Sequence, residues 1–256
     1  MNILLVDIGN TRAKWAVLRG SRLSAPKALA HRAGRAGFAA LVRAAPRDIE
    51  RVIAVSVMGQ GYERALAAAV RARFGVRTEF VRSARNAAGV RNAYRDVWRL
   101  GADRWVGVIA AHALAGKRPA LVASIGTALT IDAVTGEGRH LGGAIAAGPD
   151  TMISSLLSGT QGIRRRARGS RSGGGRSRSL FAADTSSALD AGAAFAAAAF
   201  VDRACAEARA AFGARPVVLL TGGAARALRP YIKSAVRLVP DLVLRGLAVL
   251  AQADAG

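Results

Sequence analysis

VDIGNTRAKWAV (residues 6–17) has a counterpart half a chain later, VASIGTALTIDAV (residues 122–134). In each, an apolar run ends at a Gly/Thr turn and a second apolar run returns. That pattern predicts a β-hairpin, with Gly and Asn supplying the backbone conformations a tight turn requires. A repeat at about half the chain length predicts a duplicated domain.

The rest of the chain extends both copies. Around the first, strands are expected over 2–7, 13–18, 51–56 and 76–81. A helix over 62–74 carries Leu66, Val70 and Phe74 at helical spacing, and a second apolar helix covers 104–114. Around the second, strands are expected over 120–123 and 129–134. A hairpin then passes through Gly136-Glu137-Gly138 into a Gly-rich strand over 141–147. A helix over 149–157 starts with Pro at its first position. An Ala-rich helix follows over 184–212, then a buried strand over 216–221 ending in Gly222-Gly223, a short helix, and a closing helix over 241–251. Strands alternate with helices in both halves, so the expected architecture is α/β, with two layered halves (residues 1–117 and 118–256) and a central cleft.

Composition narrows the class. The chain has 256 residues, 52% of them hydrophobic, and a single cysteine. It is too apolar for wholesale disorder and cannot form an internal disulfide, which points to a reducing compartment. Its most apolar stretch, 191–201, is about half of the roughly 20 residues a membrane span requires. Asp7 interrupts the first apolar run, so no export signal is read there. The net charge of +22 invites a nucleic-acid reading. However, seven arginines fall in one segment, RRRARGSRSGGGRSRS (residues 164–179), which contains no acid and no aromatic residue. That composition predicts a flexible basic loop, and it lacks the rings on which single-strand binders stack bases. The remaining charge, such as Arg64, Arg71 and Arg73, falls on helix faces and reads as solvated surface. Neither a nucleic acid nor a membrane is expected as a partner.

The chemistry lies in the turns. Each offers backbone N–H groups and a hydroxyl to an anion, as a phosphate nest does. Asp7, at the end of the first strand, is placed to hold Mg²⁺ or its waters beside phosphates. Neither turn is a Walker A loop. His31, His112 and His140 are dispersed and read as structural. Cys205 reads as a small buried hydrophobe, and Trp15, Trp98 and Trp105 as core or wall residues.

Several motifs occur together in order: Asp7-Ile8-Gly9-Asn10-Thr11, then Leu100-Gly101-Ala102-Asp103-Arg104-Trp105, then Ser124-Ile125-Gly126-Thr127-Ala128-Leu129-Thr130-Ile131-Asp132, then Gly142-Gly143 with Gly148-Pro149. With PDLVLRGL (residues 240–247), this series resembles the type III pantothenate kinases over nearly the whole chain. These belong to the acetate kinase/sugar kinase/Hsp70/actin superfamily. The resemblance implies duplicated ribonuclease H-like (actin-like ATPase) halves and ATP-dependent phosphorylation of pantothenate, the first step of coenzyme A synthesis.

The implied site follows residue by residue. Asp7, Ile8, Gly9, Asn10, Thr11, Arg12, Ala13 and Lys14 correspond to the first phosphate motif and Thr127 to the second, while Gly142 and Gly143 line the adenosine side. Tyr94, Gly101, Ala102, Asp103 and Arg104 form the pantothenate motif, with Asp103 as catalytic base. Thr185 is a substrate contact near a dimer interface. ATP with Mg²⁺ is the implied cosubstrate, and Asp7 the implied Mg²⁺ contact through phosphates.

Taken alone, Asp103-Arg104 also suits a plain helix start, an acid complementing the helix dipole beside a surface arginine. Many members carry Asp where this chain has Ser124, a position tied to a monovalent cation (K⁺ or NH₄⁺). Asp132 is the substitute ligand read here. The resemblance further implies a cytoplasmic homodimer. The alternative reading is a catalytically idle protein similar to the Bvg accessory factors, acting on transcription.

Overall fold

The computed structural model describes residues 1–30, 37–167 and 179–253. Thirteen strands and eight α-helices are formed by these residues. In chain order they are β1 (Asn2–Ile8), β2 (Arg12–Arg19), β3 (Arg22–Leu23), β4 (Lys27–Ala30), α1 (Gly37–Ala44), β5 (Arg51–Ser56), α2 (Gln60–Phe74), β6 (Thr78–Phe80), β7 (Asn86–Ala87), β8 (Val90–Arg91) and α3 (Ala102–Ala115). There follow β9 (Ala120–Ile125), β10 (Ala128–Val134), β11 (His140–Ala147), α4 (Pro149–Gly159), α5 (Gln161–Ala167), α6 (Thr185–Phe212), β12 (Val217–Thr221), α7 (Ala225–Leu228), β13 (Arg237–Leu238) and α8 (Leu242–Ala253). Packing divides the chain into two compact units. Unit 1 comprises residues 1–117, 136–142 and 241–256, and unit 2 comprises 118–135 and 143–240.

In unit 1 the sheet runs β3-β2-β1-β5-β6, with β4 also paired to β2. β1 is antiparallel to β2 and parallel to β5. As the central strand, β1 is apolar on both faces, which a sheet covered on both sides requires. Its even residues Leu4, Val6 and Ile8 join Ala13, Trp15 and Val17 against Phe38 and Leu41 of α1 and Leu66 and Val70 of α2. Its odd residues Ile3 and Leu5 join Ala16 and Leu18 against Val106 of α3 and Leu244, Leu247 and Ala251 of α8. The period of two therefore puts Asp7 on the α3 and α8 face.

In unit 2 the sheet runs β11-β10-β9-β12-β13. β9 is antiparallel to β10 and parallel to β12, and β12 is parallel to β13. The hairpin and parallel strands of unit 1 recur here in the same order, so the sequence repeat is a repeat of topology. Leu121, Ala123, Ile125, Leu129 and Ile131 pack against Ala194, Ala197, Ala198, Val201 and Cys205 of α6. Alanines every third or fourth residue let this 28-residue helix lie close to the sheet. Its start is fixed by Asp184, whose Oδ1 accepts the Ser187 N–H at 2.9 Å.

Two expectations change. Arg164–Ala167 form the last turn of α5 rather than a loop, while residues 168–178, which hold the other arginines of that segment, lie outside those described. Trp98 is 73% exposed, under the Arg99 guanidinium, whereas Trp15 and Trp105 are core residues. Cys205 is buried, and burial raises its thiol pKa. His31 lies outside the described residues. Among the described residues no helix is long and apolar enough to cross a membrane.

Candidate active site

Asp7 sits one residue before the end of β1, opposite Lys14 in the β1–β2 register. Burial pushes its carboxyl pKa up from 3.8 to about 7. Lys14 opposes the shift, and the negative charge of Asp103 adds to it. The turn beyond is closed by the Gly9 N–H donating to the Arg12 carbonyl at 3.2 Å, leaving Asn10, Thr11 and Arg12 exposed. Asp103 is the second residue of α3, which starts after Gly101. An acid there complements the positive end of the helix. The same placement brings it within electrostatic reach of Asp7.

Arg104, the next residue, donates from Nη1 to the Tyr94 hydroxyl at 3.2 Å. Tyr94 sits on a loop held from below by two residues. Arg85 donates to the carbonyls of Asn92, Tyr94 and Arg95 at 3.2, 2.8 and 2.7 Å. Asn92 is 2% exposed; its Oδ1 accepts the Tyr94 N–H at 2.9 Å and its Nδ2 donates to the Ala84 carbonyl at 3.2 Å. His140 lies parallel to the Tyr94 ring, with centroids 6.2 Å apart and planes 7° apart.

In unit 2 the corresponding turn is one residue shorter. Ile125 pairs with Leu129, where Ile8 pairs with Ala13. The Gly126 N–H donates to the Ala128 carbonyl at 2.9 Å. The Thr127 carbonyl accepts from the Gly148 N–H at 2.9 Å and from the Thr151 hydroxyl at 2.6 Å, which ties the start of α4 to the turn. The Thr127 side chain is exposed. The Ile125 carbonyl accepts the Ala224 N–H at 3.1 Å, bringing in the Gly222-Gly223 turn after β12. Ser124 pairs with Thr130 and with Thr221, and Asp132, two residues along β10, shares their face and is 2% exposed. Thr185 opens α6, on a different element, and is half-buried. Gly142 and Gly143 are consecutive on β11, Gly142 in unit 1 and Gly143 in unit 2.

Residues 3–207 match the family described as type III pantothenate kinase. A curated relative from Nitrosococcus oceani, named type III pantothenate kinase, is 34% identical over 257 residues, covering 98% of this chain and 94% of its own. The chain belongs to the type III pantothenate kinase family. It is therefore a kinase. Its fold is that of the actin-like ATPases. MreB 5 of Spiroplasma citri, solved with AMPPNP, superposes at TM-score 0.55 with 8% identity, covering 99% of this chain and 97% of that one. A Baf family protein from Campylobacter jejuni gives 0.57 with 19% identity and 98% coverage of both chains.

In this type III pantothenate kinase the structure brings Asp7, Lys14 and Asp103 together in unit 1 and pairs Tyr94 with Arg104. It also adds residues that the motifs do not contain: Arg85, Asn92 and His140 around Tyr94, and Thr151, which joins Gly148 of the fourth motif against the second turn. Of these only Thr151 left a trace in sequence, through the Gly148-Pro149 that starts its helix after an apolar strand. Arg85 acts through main-chain carbonyls and Asn92 through one main-chain N–H and one carbonyl, which no residue pattern announces.

Proposed function

We propose that the chain transfers the γ-phosphoryl group of ATP to the primary hydroxyl of pantothenate, giving 4′-phosphopantothenate for coenzyme A synthesis. The observation that carries this is the unit 1 constellation: Asp103 in the first turn of α3, coupled to Asp7, with Arg104 joined to Tyr94 beside it. It occurs in a chain whose family is named for pantothenate.

Phosphoryl transfer depends on positioning and charge stabilisation. Asp103 accepts the hydroxyl proton as the oxygen–phosphorus bond forms and the bond to the leaving ADP breaks. Arg104, steadied by Tyr94, binds the pantothenate carboxylate through its planar fork. Gly101 and Ala102 bring the backbone at the start of α3 up to that substrate, and Thr185 adds a hydroxyl. The turn from Ile8 to Ala13 and the turn at Thr127 each offer N–H groups and a hydroxyl to phosphate, with Lys14 beside the first. Gly142 and Gly143 leave backbone open on the adenosine side.

Mg²⁺ takes few carboxylates from a protein and completes its shell with phosphate and water oxygens. Asp7 offers one carboxyl that burial leaves poorly ionised and that a cation would stabilise in its charged form, so the residues fit Mg²⁺. When bound, Mg²⁺ neutralises charge on the phosphates. Asp132 with Ser124 is the proposed holder of K⁺ or NH₄⁺, supported by a buried acid on a polar strand face. A homodimer is supported by apolar residues of unit 2 left in solvent, with Ile145 64% and Phe181 88% exposed. Cytoplasmic placement rests on the two substrates.

The test is ADP release with ATP and pantothenate, with and without K⁺ or NH₄⁺, comparing wild type with Asp103→Asn. Turnover that depends on pantothenate and is lost in the variant supports the reading. An inactive wild type under every cation condition removes it.

A further inference from the structure

His140 belongs to none of the motifs, yet it is one of the few polar side chains in the core, 1% exposed. It is the first residue of β11, and its ring lies parallel-displaced against Tyr94 at 6.2 Å, within the range where aromatic pairs attract. Its Nδ1 accepts the N–H of Ala93, the residue before Tyr94, in a long 3.5 Å bond. One side chain therefore touches both the ring and the backbone that carries it.

The approach is built from both sides. The Arg91 N–H donates to the Gly138 carbonyl at 2.8 Å, and Arg91 bridges to Arg139 in parallel. A β-carbon on Gly138 would overlap the carbonyl oxygen of Gly89. Glycine at 138 thus lets the segment leading into β11 close on the β7–β8 hairpin (Asn86–Arg91), and two residues later the imidazole reaches the Tyr94 ring. Tyr94 in turn holds Arg104 through its hydroxyl, with the Arg104 Cζ 5.9 Å from the ring centre.

We propose that His140 is a positioning residue for the acid-bearing substrate: its ring fixes the plane of Tyr94, and Tyr94 fixes the guanidinium of Arg104. The proposal rests on the reading of Tyr94 and Arg104 as pantothenate contacts. It predicts that loss of the ring at 140 weakens pantothenate binding and leaves ATP binding unchanged.

The experiment compares His140→Phe, which keeps a ring, with His140→Leu, which keeps volume without one, and adds His140→Leu in a Tyr94→Ala background. All are confirmed as folded by thermal melts. The expected result is a KM for pantothenate raised about three- to tenfold in His140→Leu and within about twofold of wild type in His140→Phe. The KM for ATP stays put in both, and His140→Leu adds nothing once Tyr94 is gone. The proposal falls if His140→Leu leaves the pantothenate KM unchanged, if His140→Phe is as impaired as His140→Leu, if both KM values rise together, or if the effect persists without Tyr94. A wild type that turns over while these variants show no split overturns the inference alone. A wild type that does not use pantothenate overturns the functional reading and the inference with it.

Discussion

The Oδ1 atom of Asp103 folds back over Gly101 and lies 2.8 Å from the point where a β-carbon on residue 101 would stand. The backbone of Gly101 is ordinary (φ −54°), so alanine there meets no conformational barrier. Its methyl group would displace the end of a short, rotatable side chain. Gly101→Ala is therefore expected to keep its melting temperature within about 2 °C of wild type and to lose about tenfold or more in kcat, because the carboxylate proposed as the base is moved. Unchanged kcat would mean that this carboxylate takes no part in the proton transfer.

Asp7 carries a cost that depends on pH. Its folded pKa of about 7 lies above its ordinary 3.8, so between these values the folded chain holds a proton that the unfolded chain has released. Stability from this group is thus highest below about pH 4. It falls as pH rises to 7, at about 1.4 kcal/mol per unit, and is level beyond. Asp7→Asn removes that slope. Thermal melts are expected to show the variant more stable than wild type at pH 8 and indistinguishable at pH 4, with kinase activity lost. A variant no more stable at pH 8 would contradict the burial argument.

Arg85 holds three carbonyls with one fork, which lysine cannot imitate. Arg85→Lys is expected to speed hydrogen exchange of the amides from residue 92 to 96 while leaving the α3 core protected. Uniform exchange across both segments would show instead that Arg85 supports the whole unit.

Serine at 124 gives the sheet face a hydroxyl and no carboxylate. With Asp132 two residues along the facing strand, Ser124→Asp is expected to lower the K⁺ concentration needed for half-maximal rate. Asp132→Asn is expected to make the rate indifferent to K⁺. A titration of rate against K⁺ at fixed ionic strength decides it, and identical curves for all three proteins would remove the cation from this face.

Leu247 of α8 is fully buried against β1 and β5. Leu247→Ala is expected to cost about 2–5 kcal/mol in chemical denaturation. A smaller loss would show that the helix is only lightly docked.

Much of this arrangement can be read from residue patterns because it is local. The hairpins at Gly9 and Gly126 announce themselves through turn residues between apolar runs. Asp103 falls in the first turn of a helix because Gly101 precedes an apolar periodic segment. What stays hidden depends on distant partners. His140 meets Tyr94 across 46 positions, through a ring contact that leaves no spacing signature. Arg85 bonds to carbonyls, which every residue possesses. Arg164–Ala167 are helical because arginine is a good helix former and α5 begins upstream at Gln161; the Gly and Ser that follow obscured this. Nothing in the apolar pattern of α8 says which unit's core it completes.

That last point bears on biogenesis. Unit 1 begins at residue 1, but its core on the α3 side also needs Leu244, Leu247 and Ala251. During synthesis, then, the first half of the kinase must wait with an uncovered apolar surface while all of unit 2 is made. Its core on that side closes only once α8 has been synthesised, so the interval in which nascent unit 1 needs protection from aggregation is set by the length of unit 2.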